Sequence, residues 1–128
     1  MRPLSFDPQA LRKHLLRHKI ATLPELKDAI GTTTDLSGVT AIQGVNNANA
    51  IRMAFDEANA KGGVAGRKIR YVVEDTQYTV ARAVQAMNTL LNQDQIFIAL
   101  ADGGTPLNDA AMPMQFARGV PNVFPLTS

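Results

Sequence analysis

The stretch that most restricts the fold is IFIALADGGTPLND, residues 96–109. Residues 96–101 form an uninterrupted apolar run. Such a run has no polar face, so it predicts a strand covered on both sides, as in a parallel sheet. It stops at Asp102, passes through Gly103 and Gly104, and meets Thr105-Pro106, a helix start. Leu107, Ala110, Ala111 and Met114 recur at helical spacing until Gly119, and VPNVFPLT (120–127) then predicts another strand.

The same alternation appears upstream. Val45, Ala48, Ile51, Phe55 and Ala58 predict a helix stopped by Lys61-Gly62-Gly63, and RKIRYVVED (67–75) predicts a strand. Val80, Ala83, Val84, Met87, Leu90 and Leu91 form the clearest amphipathic helix. Strands separated by helices of this length imply an α/β fold with an open parallel sheet and flanking helices. TTTDLSG (32–38) reads as a loop, with at most a remnant strand before it.

At 128 residues one main core is expected, and 45% apolar content suits a soluble α/β domain. The absence of cysteine excludes disulfides and thiolate metal sites. No apolar run is long enough to span a bilayer. Charges at Arg12, Lys13, Arg17 and Lys19 interrupt the N-terminus, which does not read as a signal peptide. As written, the sequence predicts a cytoplasmic chain.

Of the net charge of +2, residues 1–30 carry +3 and the remainder −1. In that first segment Asp7-Pro8 resembles a helix start, with Leu11, Leu15 and Leu16 on one side. TLPE (22–25) matches a capping box before Leu26 and Ile30. Two short helices joined by a turn give residues 1–30 a helix-turn-helix-like look, without a recognition helix after them. Residues 31–128 form the second unit.

Gly103, Gly104 and Thr105 sit where a parallel sheet places its ligands, between a strand end and a helix start. Two readings stand. In one, backbone N–H groups face a small anion, a carboxylate in preference to a phosphate because no GK[ST] follows. In the other, this is a tight turn with Thr105 as N-cap. GGVAGR (62–67) follows a helix and precedes a strand, the wrong order for a dinucleotide fingerprint, so it reads as a helix stop. His14 and His18 are four apart but lack a third ligand, and no metal is predicted. Glu74 and Asp75 are adjacent on a strand, so their side chains point to opposite faces. Asp35 and Ser37 have no histidine partner, and no nucleophile–base pair is formed.

From about Ile30 to Ser128 the chain resembles the type I periplasmic binding proteins of ABC transporters for branched-chain amino acids and related amides, the Leu/Ile/Val-binding group. The matching segments are IGTTTDLSG (30–38), residues 49–91 with FDEANAKGGVAGRKI and VVEDTQY, GGTPLNDAAMP (103–113) and GVPNVFPLT (119–127). The resemblance implies a non-catalytic protein without a cofactor, found in the periplasm and partnered by an ABC permease. It implies two lobes closing on a small amino acid or amide, of which this chain holds a partial first lobe. Carried over by position, Gly103, Gly104, Thr105, Leu126, Thr127 and Ser128 hold the ligand's polar head, and Leu36, Ser37 and Gln43 line its side-chain end. Serines are common in the family where Gly103 and Gly104 stand here.

The family's first strand lies mid-sheet, and here LRKHLLRHKIATLPELKDA (11–29) replaces it with ELKDAIGTTT as a poor substitute. An unpaired centre of that kind, with an exposed interlobe face, predicts self-association or poor solubility. The alternative function is a ligand-sensing transcriptional regulator, with residues 1–30 contacting DNA. The modest charge and the missing recognition helix weigh against nucleic acid. No base, nucleophile or cofactor fingerprint supports an enzyme.

Overall fold

The computed structural model describes Gln9 and residues 27–127. The two short helices expected in the N-terminal segment, the His14/His18 pair and Ser128 lie outside the described residues. The elements run β1 (Ala29–Thr34), α1 (Ala41–Ala60), β2 (Arg70–Asp75), α2 (Val80–Asn92), β3 (Ile98–Leu100), α3 (Thr105–Ala117) and β4 (Asn122–Val123). All strand pairings are parallel, in the order β2-β1-β3-β4. The α/β class and the strand–helix alternation are as the sequence predicts.

The sheet centre corrects the sequence reading. Residues 32–34 are not loop: β1 is a six-residue strand, buried at every position and paired along its full length with β2. Its residue types explain this. Three β-branched threonines favour extended backbone, while Ala29 and Gly31 keep one face shallow enough for close helix packing. A Cβ on Gly31 would lie 2.9 Å from both Leu90 Cδ1 and Ile96 Cγ2. The centre is therefore filled, and the ground for self-association through an unpaired strand is removed.

The helices divide between the two faces. On one, α2 and α3 pack on each other, enclosing Met87, Leu90, Leu91, Ile96, Ala99, Ala111 and Val120 with Ala29. On the other, Phe55 of α1 meets Tyr71 of β2 edge-on at 5.4 Å between ring centroids. The Tyr71 hydroxyl donates to Thr32 Oγ1 at 2.9 Å, and Thr32 Oγ1 donates to the Leu100 carbonyl at 2.6 Å. One helix and three strands are thereby tied by side chains. The Asn59 carboxamide accepts from Ile69 N–H and donates to its carbonyl, both at 2.8 Å, holding the end of α1 against the approach to β2.

Strand lengths are shorter than the apolar runs. Within residues 96–101 only Ile98–Leu100 pairs as strand, and Ile96 serves as a buried core side chain before it. Within residues 120–127 only Asn122–Val123 forms a strand, continued by an isolated parallel bridge between Gly103 and Leu126. Of the apolar positions predicted on α1, only Ala48 is buried, joined by Gly44, while Val45 is exposed.

Candidate functional site

The carboxyl ends of β1 and β3 open onto a cleft of about 470 Å³, within the size range of small-molecule sites. Gly103, Gly104 and Thr105 form one side, Leu126 and Thr127 another, and Gln43 of α1 faces them. Six of the nine residues carried over by position are thus brought together, and Ser128 lies outside the described residues. Leu36 is not among those lining the cleft: its N–H donates to Asp75 Oδ1 at 2.9 Å, which turns it toward the end of β2. Ser37 is held the same way, its hydroxyl donating to Asp75 Oδ2 at 2.6 Å.

The two glycine amides are not bare. Gly103 N–H donates to the Thr33 carbonyl and Gly104 N–H to the Leu126 carbonyl, both at 2.9 Å. The chain here extends the sheet by one step instead of presenting free donors, so an anion held by those two amides is ruled out as drawn from sequence. The Thr105 N-cap reading also changes. Gly104 caps α3, with a φ of 98° and no side-chain cap, and Thr105 is the first helical residue, followed by Pro106. Glycine is needed at 104 because that φ is left-handed. A Cβ there would also sit 3.0 Å from Leu107 Cδ1 and 3.1 Å from Tyr78 Cε2.

Below this floor lies Asp102, 1% exposed. Its Oδ1 accepts Thr33 N–H at 2.7 Å, and Asn122 Nδ2 lies 3.4 Å from Oδ2. Its carbonyl accepts Leu126 N–H at 2.8 Å and Asn108 Nδ2 at 3.0 Å. Burial raises the carboxyl pKa to about 6, only partly offset by the hydrogen bonds from Thr33. Asp102 joins β1, β3, α3 and the chain leading to Leu126 beneath the cleft.

The loop from β1 to α1 is organised by Asp35. Its Oδ1 accepts Ser37 N–H at 3.2 Å and Gly38 N–H at 2.6 Å; its Oδ2 accepts Thr40 N–H at 2.7 Å and Thr40 Oγ1–H at 2.9 Å. Burial raises the pKa of this carboxyl, but the hydrogen bonds to Thr40, Gly38 and Ser37 outweigh it and hold it below the ordinary value. Asp75 behaves alike: hydrogen bonds from Ser37, Leu36 and Gln77, with Arg82 nearby, outweigh its desolvation. Neighbouring Glu74 is shifted upward, first by burial and then by Asp94. The two adjacent carboxylates therefore have separate environments and form no acid–base pair.

Sequence reasoning named Gln43 but missed its neighbours Asn46 and Asn47 on α1. Asn46 and Asn47 line the cleft beside Gln43, with Thr34, Asp35 and Thr40 below them and Tyr78 across. The rule that placed Gly103 applies equally after β1. Reading residues 32–34 as loop concealed the strand end from which these residues start. Among the described residues no cluster of three metal-ligating side chains occurs. No helix among them is long and apolar enough to cross a membrane.

An open parallel α/β sheet with a cleft at its carboxyl rim defines a ligand-binding lobe of the kind paired in two-lobed solute receptors. The family model described as periplasmic binding protein matches residues 29–128, and the chain belongs to that family. Its match begins at the first residue of β1. Among solved structures, the branched-chain amino acid transporter substrate-binding protein LivJ from Streptococcus pneumoniae, in complex with isoleucine, is 26% identical with a TM-score of 0.74 over 80% of this chain. A possible leucine/isoleucine/valine-binding protein from Rhodopirellula baltica is 30% identical, with a TM-score of 0.70 over 75% of it. A fatty acid ABC transporter substrate-binding protein from Thermomonospora curvata is 30% identical, with a TM-score of 0.67 over 80%. The chain spans 29%, 27% and 25% of those three proteins respectively. No curated protein sequence matches it. None of these relatives is a transcriptional regulator, and the regulator alternative gains no support.

Proposed function

We propose that this chain carries the first ligand-binding lobe of a solute-binding protein serving an ABC uptake system, with a small amino acid or related amide as ligand. One observation carries the reading. Residues 103–105, residues 126–127 and Gln43, distant in sequence, surround a single cleft at the carboxyl rim of the sheet, where open α/β folds bind ligands. The chain acts by binding, not by catalysis. Asp35, which lines the cleft, and Asp75, at the end of β2, are both engaged by loop donors and both shifted downward. Neither is poised as a base near neutral pH. An ABC permease is the partner of the complete receptor.

The ligand head meets Thr105 at the start of α3, where the helix dipole favours partial negative charge. Calorimetric titration of the chain with leucine, glutamate, urea and short amides tests this. Saturable heat that disappears in Thr105→Ala, with an unchanged melting temperature, supports the site. Absence of a response to every compound, from a folded chain, refutes it.

A further inference from the structure

The turn between α1 and β2 projects from the amino end of the sheet, opposite the cleft. KGGVAGRK, residues 61–68, carries three cations and no carboxylate. Its shape is fixed: Val64 N–H donates to the Arg67 carbonyl at 2.8 Å, and Arg67 N–H returns to the Val64 carbonyl at 3.0 Å. Left-handed φ values at Gly62, Gly63, Ala65 and Gly66 make the reversal tight. The Asn59 carboxamide fastens Ile69 at its base. Val64 is 62% exposed, so an apolar side chain stands in water between Lys61, Arg67 and Lys68.

The same end of the sheet repeats the combination. α3 ends there with Phe116, 57% exposed, followed by Arg118, and Lys27 stands before β1. Asp28 and Asp94 engage Arg70, and Glu57 engages Lys61. Lys27, Lys68 and Arg118 have no carboxylate partner among the described residues. Residues 1–26, which lead into Lys27, carry five further cations against two carboxylates. The carboxyl rim has the opposite character, with Asp35, Glu74, Asp75 and Asp102 gathered at the strand ends.

Cations with apolar side chains standing among them match a membrane surface. Each lysine or arginine close to an anionic bilayer raises partitioning roughly fivefold, and an apolar side chain gains by entering the interfacial zone. A nucleic acid backbone would use the cations and give Val64 and Phe116 nothing to enter. We propose that the amino rim of this lobe docks on an anionic lipid bilayer. The 61–68 turn is its contact point: Val64 enters the interface, and Lys61 and Lys68 meet headgroup phosphates.

Sedimentation of the complete chain with lipid vesicles tests the surface. Binding is expected to phosphatidylcholine vesicles containing phosphatidylglycerol, weakening as salt rises, and not to phosphatidylcholine alone. Lys68→Gln is expected to weaken it roughly fivefold. Val64→Ser should weaken it with an unchanged melting temperature, because the side chain it alters is exposed. Arg82→Gln removes the same charge from the first turn of α2, at the other end of the lobe, and should leave binding intact. Absence of binding to the anionic vesicles overturns the proposal. Equal weakening in Lys68→Gln and Arg82→Gln does so too, since net charge alone would then be read. If Lys68→Gln has no effect, the binding belongs to residues 1–26 and the assignment of the rim fails. A Val64→Ser chain that binds like wild type, or duplex DNA bound more tightly than the vesicles at the same salt, overturns the bilayer as partner.

Discussion

Gly104 and Leu126 are joined by a backbone hydrogen bond of 2.9 Å, N–H of the first to carbonyl of the second. Leu126 N–H returns 2.8 Å to the Asp102 carbonyl. The cleft floor is therefore a piece of sheet, and its shape depends on backbone geometry more than on side chains. Gly104→Ala is expected to cost about 1–3 kcal/mol, since alanine would have to adopt a left-handed φ and its Cβ would press on Leu107 and Tyr78. Gly103→Ala meets only Thr34 Oγ1 at 3.0 Å and should cost less. Urea unfolding of the two variants checks the order. Equal losses would show that the Gly104 conformation carries no special strain.

The buried carboxyl of Asp102 makes stability depend on pH in an unusual direction. Its pKa lies above the ordinary 3.8, at about 6, because burial disfavours the charged form. Folding therefore favours the proton. This contribution is complete below pH 3.8 and is lost as pH rises through about 6. The upward shift corresponds to a loss on the order of 3 kcal/mol between those limits. Asp102→Asn is expected to flatten the stability profile between pH 4 and 7. Denaturant midpoints measured across that interval test it, and a wild-type chain that gains stability steadily from pH 4 to 7 would contradict the assignment.

The strand–helix alternation, the parallel sheet and the turn from the third strand into its helix were legible because their signals are local. An apolar run without polar interruption, a glycine stop and an amphipathic stripe each need only neighbouring residues. β1 was obscured because Thr32, Thr33 and Thr34 are polar by composition yet wholly buried. What licenses their burial lies far away: Leu100 accepts from Thr32, and Asp102 accepts from Thr33 N–H. The same distance effect misjudged the glycines. Residues 103 and 104 are flexible types in the right place, but whether their N–H groups stay free depends on Thr33 and Leu126. Asn46 and Asn47 of α1 were hidden behind the misread strand, although Gln43 on the same helix was named.

Gly44 sets how closely α1 approaches the end of β1. A Cβ at this position would lie 1.9 Å from the Asp35 carbonyl oxygen and 2.9 Å from Thr34 Oγ1. The first neighbour is backbone and cannot swing aside, so the helix itself must lift. Gly44→Ala is expected to cost about 3 kcal/mol or more, beyond the usual range for an added methyl in a packed interior. Because α1 bears Gln43, Asn46 and Asn47, any ligand response should fall as well. Thermal melting followed by circular dichroism gives the first effect. A variant within about 0.5 kcal/mol of wild type would show that the contact relaxes without displacing the helix.

Asp35 supplies the opposite pH dependence from Asp102. Four loop donors stabilise its ionised form, so its pKa is held below the ordinary 3.8 despite burial. Its contribution is present above the unfolded-state value and is lost as pH falls through the lower folded-state one. In Asp35→Asn, one oxygen becomes an NH2 group facing N–H and O–H donors. The side chain can then accept on one side only, leaving Thr40 or the Ser37–Gly38 pair unpaired. At pH 7 the substitution is expected to cost about 1–3 kcal/mol. The deficit should shrink as pH falls below 3.8 and the wild-type carboxyl takes up its proton. Chemical denaturation of both proteins at pH 7 and along an acid series decides it. A deficit that is unchanged at acid pH would mean that Asp35 acts through shape, not through its charge.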